Sequence, residues 1–499
     1  MNIVKAEKNM RVIVRLISGI SLILGILFDY LFYGKLLGIN FPIFIILILS
    51  GLFLISYLLK RQIDKQVILL SIPLLFFATM VFIRTSVFLT FLNVVICLLL
   101  LLLIAKTVYG KKIEEFLLKD YIKTIFLPFR FIYPLFQTLS KLFSSHKVGN
   151  NKKVLSQVLR GVAMAIPIIF LFTLLFSSAD LIFQKYLSDL ITINIEGETV
   201  LRIVLVIMVT SIFIGAYSYI FQKSKEKTVI KLEDGKQLLG KIESSVIFSS
   251  INILFFLFIL VQLTYLFGGE SNISVQGFTY AEYARRGFFE LITVAVLSLL
   301  LLLSFEKYVV RNGKIHTLEF KILSTSMIVQ VIVIMVSAFT RLLLYERAYG
   351  FTTLRLYSHS FIILLAIIFG LLIYKIYIDR TERTFALRVF VLIILSLAGM
   401  NFLNPDLFIA RQNIDRFNST EKLDVYYLGN LSDDAIPEVV KLFDTLDGDM
   451  EMSLGSELYW RSQRVNESKE WQSFNIYRAK AKRILESKSK ELEKYKNSQ

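Results

Sequence analysis

Cysteine is almost absent from this chain. Of 499 residues only Cys97 is one, inside an apolar run, which excludes an intramolecular disulfide and a cysteine-based metal site. Histidine is nearly as scarce. His146, His316 and His359 are scattered, no pair stands four apart and no H-E-x-x-H occurs, so no zinc site is spelled out and no metal is expected. Charged residues are few, at 19%, against about 25% in ordinary soluble domains. G-x-S-x-G, the kinase set and the dinucleotide fingerprint are all missing. Gly235-Lys236-Gln237-Leu238-Leu239-Gly240-Lys241 comes close to a phosphate loop. It is followed by Ile242 where magnesium needs a hydroxyl, and no strand precedes it. No catalytic residue and no cofactor is assigned from this pattern.

Apolar length is what the chain has in abundance. Hydrophobic residues make up 55% of it, aromatics 14%, and the mean hydropathy is +0.64. Eleven apolar stretches fall near 12–33, 41–59, 67–83, 87–107, 156–177, 200–221, 244–267, 286–305, 320–344, 357–378 and 386–403. Crossing a hydrocarbon core takes about 20 such residues as helix, because each backbone N–H and C=O must be satisfied inside the segment. The expected fold class is therefore all-α: a polytopic transmembrane helical bundle of about 11 spans. Lys5, Lys8, Arg11 and Arg15 precede the first span, and no small-residue cleavage pattern follows it, so it reads as retained rather than as a cleaved signal.

Charge orients the spans. The net charge is +17, yet 405–499 holds 15 Lys/Arg against 17 Asp/Glu, so the excess lies in the membrane part. The N-terminus, Lys60–Lys65, 106–155, 222–243, 306–319 and 375–387 are basic. The alternate connectors 34–40, 84–86, 178–199 and 268–285 are poor in lysine. The positive-inside rule then places the N-terminus in the cytoplasm and, with an odd span count, the last 95 or so residues outside. Four regions follow: 1–110 with spans one to four; 111–155, cytoplasmic; 156–403 with spans five to eleven; and 404–499, an extracytoplasmic helical C-terminal domain. Nucleic acid is excluded as a partner, because no basic face interleaved with aromatics is present.

Residues 112–145 mix Phe116, Ile122, Ile125, Phe126, Phe129, Ile132 and Tyr133 with Lys119, Lys123, Arg130 and Lys141. They are expected as amphipathic helices in the cytoplasmic interface, with anionic lipids as partners. In the tail, Ser432-Asp433-Asp434 starts a helix over Ile436–Leu446. Glu470–Lys496 alternates charges as a solvated helix would.

Ionisable groups beside spans are costly and so mark candidate sites. Four groups lie at the expected outer face. The first is Asp180 after Ser177-Ser178-Ala179. The second comprises Tyr280, Glu282, Tyr283, Arg286 and Glu290, with Glu282, Arg286 and Glu290 one helical turn apart. The third comprises Arg341, Tyr345 and Arg355, with Glu346 among them. The fourth comprises Asn401, Asn404, Asp406, Arg411 and Asn413. They are expected to tie helix ends together through arginine–carboxylate pairs, or to bind an extracytoplasmic protein or an anionic, headgroup-like ligand; a catalytic site with Glu290, Glu282 or Asp406 as acid or base is the least favoured reading. Glu282, Arg286, Glu290, Arg341 and Arg355 are expected in one cluster. Asp29, Asn93, Asn252, Gln262 and Gln330 are polar residues in or near apolar runs, and the four amides among them are expected to hydrogen-bond between helices.

Ser178-Ala179-Asp180, Thr279–Phe289, Arg341 with Tyr349-Gly350-Phe351-Thr352 and Arg355, and Asn404-Pro405-Asp406 with Ile409-Ala410-Arg411 and Asn413 resemble the motifs of a bacterial membrane-protein family. It is catalogued as domain of unknown function four-one-seven-three, related to four-one-five-three. The tail string around Leu423–Pro437 resembles it too, so the likeness runs from about Met164 to Phe443. The resemblance implies a multi-span protein of the bacterial cell membrane and implies no activity, cofactor or substrate. Three functions compete. A non-enzymatic envelope module (sensor, assembly factor or partner-binding protein) is the favoured reading. A transporter or lipid-handling protein lacks the inverted repeat and broken spans that mark carriers. A membrane-embedded transferase or hydrolase lacks a nucleophile or metal set.

Overall fold

The computed structural model describes residues 2–110, 112–143, 197–222, 241–266, 288–308, 314–378, 381–466 and 470–496, with Gly161, Thr173, Phe176, Asp180, Ile182 and Lys185 singly. Among the described residues there are helices and no strands. Ten of the helices are long and apolar enough to cross a membrane, each on one of the expected stretches. The eleventh stretch, 156–177, lies outside the described residues apart from three single positions. The protein is an all-α polytopic bundle. By contact it divides into two compact units, Met1–Thr228 with Ser462–Arg483, and Val229–Arg461 with Ile484–Gln499.

The first unit holds α1 (Asn2–Phe32), α2 (Asn40–Leu58), α3 (Lys65–Ile83), α4 (Val87–Thr107), α5 (Leu118–Ile125), α6 (Ile132–Phe143) and α7 (Gly197–Gln222). Helices α1 to α4 run up and down with short connectors, and α1 and α6 both pack along α7. Polar groups bind the two ends of this bundle differently. At one end Arg61 donates to the carbonyl of Phe221 (2.7 Å) and lies over the Tyr109 ring. At that same end Lys106 donates to the carbonyl of Asp120 (2.7 Å) and to Thr124 Oγ1 (3.1 Å). At the other end Arg202 grips Asp29 with two nitrogens at 2.8–3.2 Å. There the fully buried Asn40 donates to the carbonyls of Leu31 (2.9 Å) and Leu36 (3.0 Å), which would otherwise lack donors.

The segment 112–143 folds as expected into short helical pieces, but with two apolar sides. Phe116, Leu127, Phe131 and Leu139 are buried in the unit, and Thr138 meets Ser218 at 2.7 Å. Ile122, Ile125, Phe126, Phe129, Ile132 and Tyr133 are exposed.

The tail enters this unit at Ser462–Arg483 and departs from expectation there. Glu470–Lys496 is not one solvated helix. A 3-10 turn at Trp471–Ser473 and an extended Phe474-Asn475 precede α17 (Ile476–Ser487), and the chain turns again at Lys488. Asn475 is the cause. Its Nδ2 donates to the carbonyls of Val81 (3.2 Å) and Arg84 (3.0 Å) at the end of α3. Its Oδ1 accepts from the backbone of Tyr477 (3.0 Å) and Arg478 (3.2 Å), capping α17. The Ile39 amide donates to the carbonyl of Phe474 (2.8 Å) and the Leu36 amide to Ser473 Oγ (3.0 Å). Gly38 lies beneath this strap, where a Cβ would meet the Phe474 carbonyl at 2.4 Å.

The second unit holds α8 (Lys241–Leu266), α9 (Phe288–Tyr308), α10 (Lys314–Tyr349), α11 (Thr353–Tyr377) and α12 (Glu382–Leu403). Helix α10 is central, packed by α8, α9 and α11. Asn252 donates to the carbonyl of Leu323 (3.2 Å) and Ser337 donates to Gln262 Oε1, so these two amides do bond between helices. Lys375 meets Glu306 at 2.5 Å, the lysine buried, and lies over the Phe385 ring. The tail continues as α13 (Pro405–Thr420), α14 (Val425–Gly429), α15 (Ile436–Phe443), α16 (Gly448–Asn466, its last residues passing to the first unit) and α18 (Ser489–Leu492). Leu431, Ile436, Val439, Phe443, Leu454, Leu458 and Leu492 are buried here. Arg461 pairs with Asp433 (3.0 Å), Lys488 with Asp444 (2.6 Å), and Tyr495 donates to Glu451.

Candidate functional site, a polar cap on the second unit

Helix α10 outruns its expected span. It continues to Tyr349, so Arg341, Tyr345 and Glu346 sit on the helix itself and only 350–352 connects it to α11. A helix can carry these groups at a span end when neighbouring polar atoms receive them. Gly350 makes the reversal. It has φ +83°, its amide donates to the carbonyl of Glu346 (2.7 Å), and a Cβ would strike Asn413 Oδ1.

Helix α13 holds that connector. Asn413 Oδ1 accepts from the Phe351 amide (2.7 Å) and its Nδ2 donates to the Phe351 carbonyl (2.9 Å). Arg416 donates to the carbonyls of Arg347 (3.1 Å) and Ala348 (2.7 Å), the last turn of α10. Tyr427 accepts from the Thr353 amide (2.8 Å) at the start of α11. Burial pushes the Tyr427 hydroxyl above its ordinary value, opposed by the hydrogen bonds from Thr353. Arg355 donates to the Gly350 carbonyl and its guanidinium stacks on Tyr345, 4.0 Å from the ring centre.

Asn404 makes the corner between α12 and α13. It has φ +54°, a left-handed conformation that asparagine tolerates, and Pro405 follows as the first helical residue. The adjacent Asp406 is buried, and its Oδ2 accepts from the Ser432 amide (3.2 Å). Arg411 lies at the surface and pairs with Glu438 (2.8 Å), which also accepts from Lys441 (3.1 Å). The hydrogen bond from Arg411, then those of Lys441, hold the Glu438 carboxyl below the ordinary carboxylate range.

Beneath this cap lies a pair that the sequence reading did not join. Glu346 Oε2 and His359 Nε2 are 2.9 Å apart, on adjacent helices, and both residues are buried. The Phe339 ring meets the imidazole edge-on at 4.3 Å. Among the described residues, neither Glu346 Oε1 nor His359 Nδ1 has a hydrogen-bond partner. The signal was present in the sequence. His359 follows Glu346 by 13 residues across a glycine turn, a spacing that returns a helical hairpin to the same depth.

Helix α13, which carries the fourth expected group, closes on the connector beside the third through Asn413 and Arg416. Arg341 is buried in α10, Tyr345 and Arg355 stack, and Asn404, Asp406 and Arg411 line up along the turn into α13. Glu290 is exposed in the first turn of α9. Tyr280, Glu282, Tyr283 and Arg286 lie outside the described residues, as does Gly235–Gly240. Asp180 belongs to the first unit, where its Oδ1 accepts from the Ile182 amide (2.7 Å). Asn413 stands in the fourth group and in the family motif, and Tyr427 in the tail string, but their partners on the distant connector are not legible locally, nor are those of Arg416; Glu438 meets Arg411 only through the fold. Among the described residues, no three His, Cys, Asp or Glu side chains are grouped so as to hold a metal.

No curated protein and no solved structure matches the chain. A family model described as a domain of unknown function, DUF4153, matches residues 71–442. That stretch runs from α3 to α15, covers both sides of the polar cap, and is the related family named in the sequence resemblance. The chain is an integral membrane protein belonging to the DUF4153 family.

Proposed function

We propose that this protein is a non-enzymatic module of the bacterial cell envelope, a sensor, assembly factor or partner-binding protein whose tail lies outside the cytoplasm. One observation carries the reading. The polar side chains of the cap engage backbone atoms and one another: Arg416, Asn413, Arg355 and Tyr427 all close on residues 347–353. A cap so engaged ties helix ends and presents a folded tail. A catalytic cleft would instead hold convergent carboxylates open to substrate.

The orientation is supported by charge. In the first unit the ends bearing Lys60, Arg61, Lys65 and Lys106 share one side, and the lysine-poor connectors 34–40 and 84–86, with the strap on them, share the other. Anionic lipid at the cytoplasmic face is a natural partner for Ile122, Ile125, Phe126 and Phe129 beside Lys123 and Arg130. The test is a photo-crosslinking residue at Tyr426, an exposed aromatic of the tail, in intact cells. A discrete protein adduct is expected, together with labelling of a cysteine at Gly448 by an impermeant reagent in a Cys97→Ala background. Labelling only after permeabilisation would overturn the orientation, and absence of any adduct would overturn the partner.

A second reading, transport of a solute or lipid, is favoured by the Glu346–His359 pair. Buried titratable groups within spans are characteristic of proton-linked carriers. Proteoliposomes holding the wild type should then show proton uptake that Glu346→Gln abolishes, and an unchanged trace dismisses this reading.

A further inference from the structure

The strap over the first unit combines two properties. It is fixed at a known level relative to the spans, and it is apolar on its outer side. The candidate span Val12–Phe32 has 21 residues, which at 1.5 Å each give ~31 Å, the thickness of a hydrocarbon core. The end of α1 therefore lies at the boundary between acyl chains and headgroups. So does the end of α3 at Ile83, because both helices finish on the same side. The strap is held within a hydrogen bond of that boundary by Leu36, Ile39, Val81 and Arg84.

At this level six large side chains are open: Tyr30 (50%), Leu36 (53%), Leu37 (37%), Trp471 (51%), Phe474 (45%) and Ile476 (41%). The Trp471 ring lies 6.4 Å from that of Tyr30, and Phe474 lies 5.9 Å from Phe82. Cations accompany them. Lys35 stands over the Tyr30 ring at 4.8 Å and Arg84 over Tyr477 at 5.2 Å. Aromatic rings with basic side chains beside them, at the end of a span, form the composition of a membrane interface belt. In water the same six side chains would form an unfavourable exposed patch.

We infer that Trp471, Phe474 and Ile476 are immersed in the headgroup–acyl boundary of the bilayer, so that phospholipid is the partner of this part of the tail. The tail is then a membrane-bound strap over the first four spans, with the helices on either side leaving from the interface. The inference concerns depth alone and stands whichever leaflet the tail faces.

The chain has two tryptophans, so Trp460→Phe leaves Trp471 as the only indole. That variant is reconstituted into phosphatidylcholine–phosphatidylglycerol vesicles whose acyl chains carry bromine near the headgroup, at mid-chain or near the bilayer centre. The expected result is loss of Trp471 emission, greatest with bromine near the headgroup, and protection from aqueous iodide. If the variant folds poorly, the same signal is the difference between wild type and Trp471→Phe. Full iodide quenching with no effect of brominated lipid would overturn the inference, and so would strongest quenching from the bilayer centre. Failure of tail labelling under the proposed function leaves this depth profile unchanged, so the two are separable.

Discussion

The tail is fastened to span ends in both units, by opposite chemistry. In the first unit the hydrogen bonds of the fastening are neutral, with one cation, Arg84, over the Tyr477 ring. Asn475, Ser473 and the Phe474 carbonyl hydrogen-bond to residues 36–39 and 81–84, and aromatic rings lie alongside. In the second unit it is largely charged: Arg416 and Arg355 donate to the carbonyls of Arg347, Ala348 and Gly350, and Arg411 on α13 pairs with Glu438 on α15. A neutral amide at the end of a helix satisfies lone carbonyls without a charge to desolvate. A guanidinium reaches more acceptors but carries that cost unless it remains partly in water. The strap sits at the bilayer boundary and uses the first solution. The cap, along α13 and α15, uses the second. Salt and pH should therefore act on one fastening and leave the other alone.

The largest effect is expected at the foot of the charged fastening. Glu346→Ala leaves His359 Nε2 without its partner in a buried position, and breaking a buried pair costs about 3 kcal/mol. Thermal unfolding in detergent should show a large drop, with Glu346→Gln milder because an oxygen acceptor remains. A variant as stable as wild type would mean that the pair is not part of the fastening.

An intermediate effect is expected in the neutral fastening. Asn475→Ala removes the cap of α17 and both bonds to the end of α3, costing about 2 kcal/mol. Hydrogen exchange at the Ile39 and Tyr477 amides should accelerate by a factor unchanged between low and high salt. A salt-dependent factor would erase the contrast between the units.

The smallest effect is at the surface. Arg411 is more than half exposed, so Arg411→Ala should cost about 0.5 kcal/mol, and less at high salt. The Glu438 carboxyl is held below the ordinary range, so its stabilisation is complete above that range and is lost as pH falls through the lowered folded value. Hydrogen exchange in α15 should speed up on acidification in the wild type and lose that response in Glu438→Gln.

How much of this was legible in the sequence differs by residue. The spans were readable because a hydrocarbon core imposes length and apolarity on each segment separately. Helix α10 runs five residues past its expected span, because Glu346 counts against an apolar stretch until its burial is known. Arg355, Asn404, Asp406 and Arg411 announced themselves as polar groups at span ends. Asn475 did not, because an asparagine in a charged tail looks like a helix breaker and nothing local points to the carbonyls of Val81 and Arg84. Asp29 stands out in the sequence as a polar residue near an apolar run, and only the packing of α1 on α7 brings Arg202 to it.

Composition and periodicity by themselves determined that the chain is helical and crosses the bilayer many times, because the solvent tests each segment independently and lysine is sorted loop by loop. Only the tertiary structure decided which polar atoms meet. Joining Glu346 to His359, Asn413 to Phe351 and Asn475 to α3 requires segments 13, 62 and about 390 residues apart to arrive at one depth. That encounter is fixed by helix lengths, turn geometry and packing together, and no local stretch encodes it.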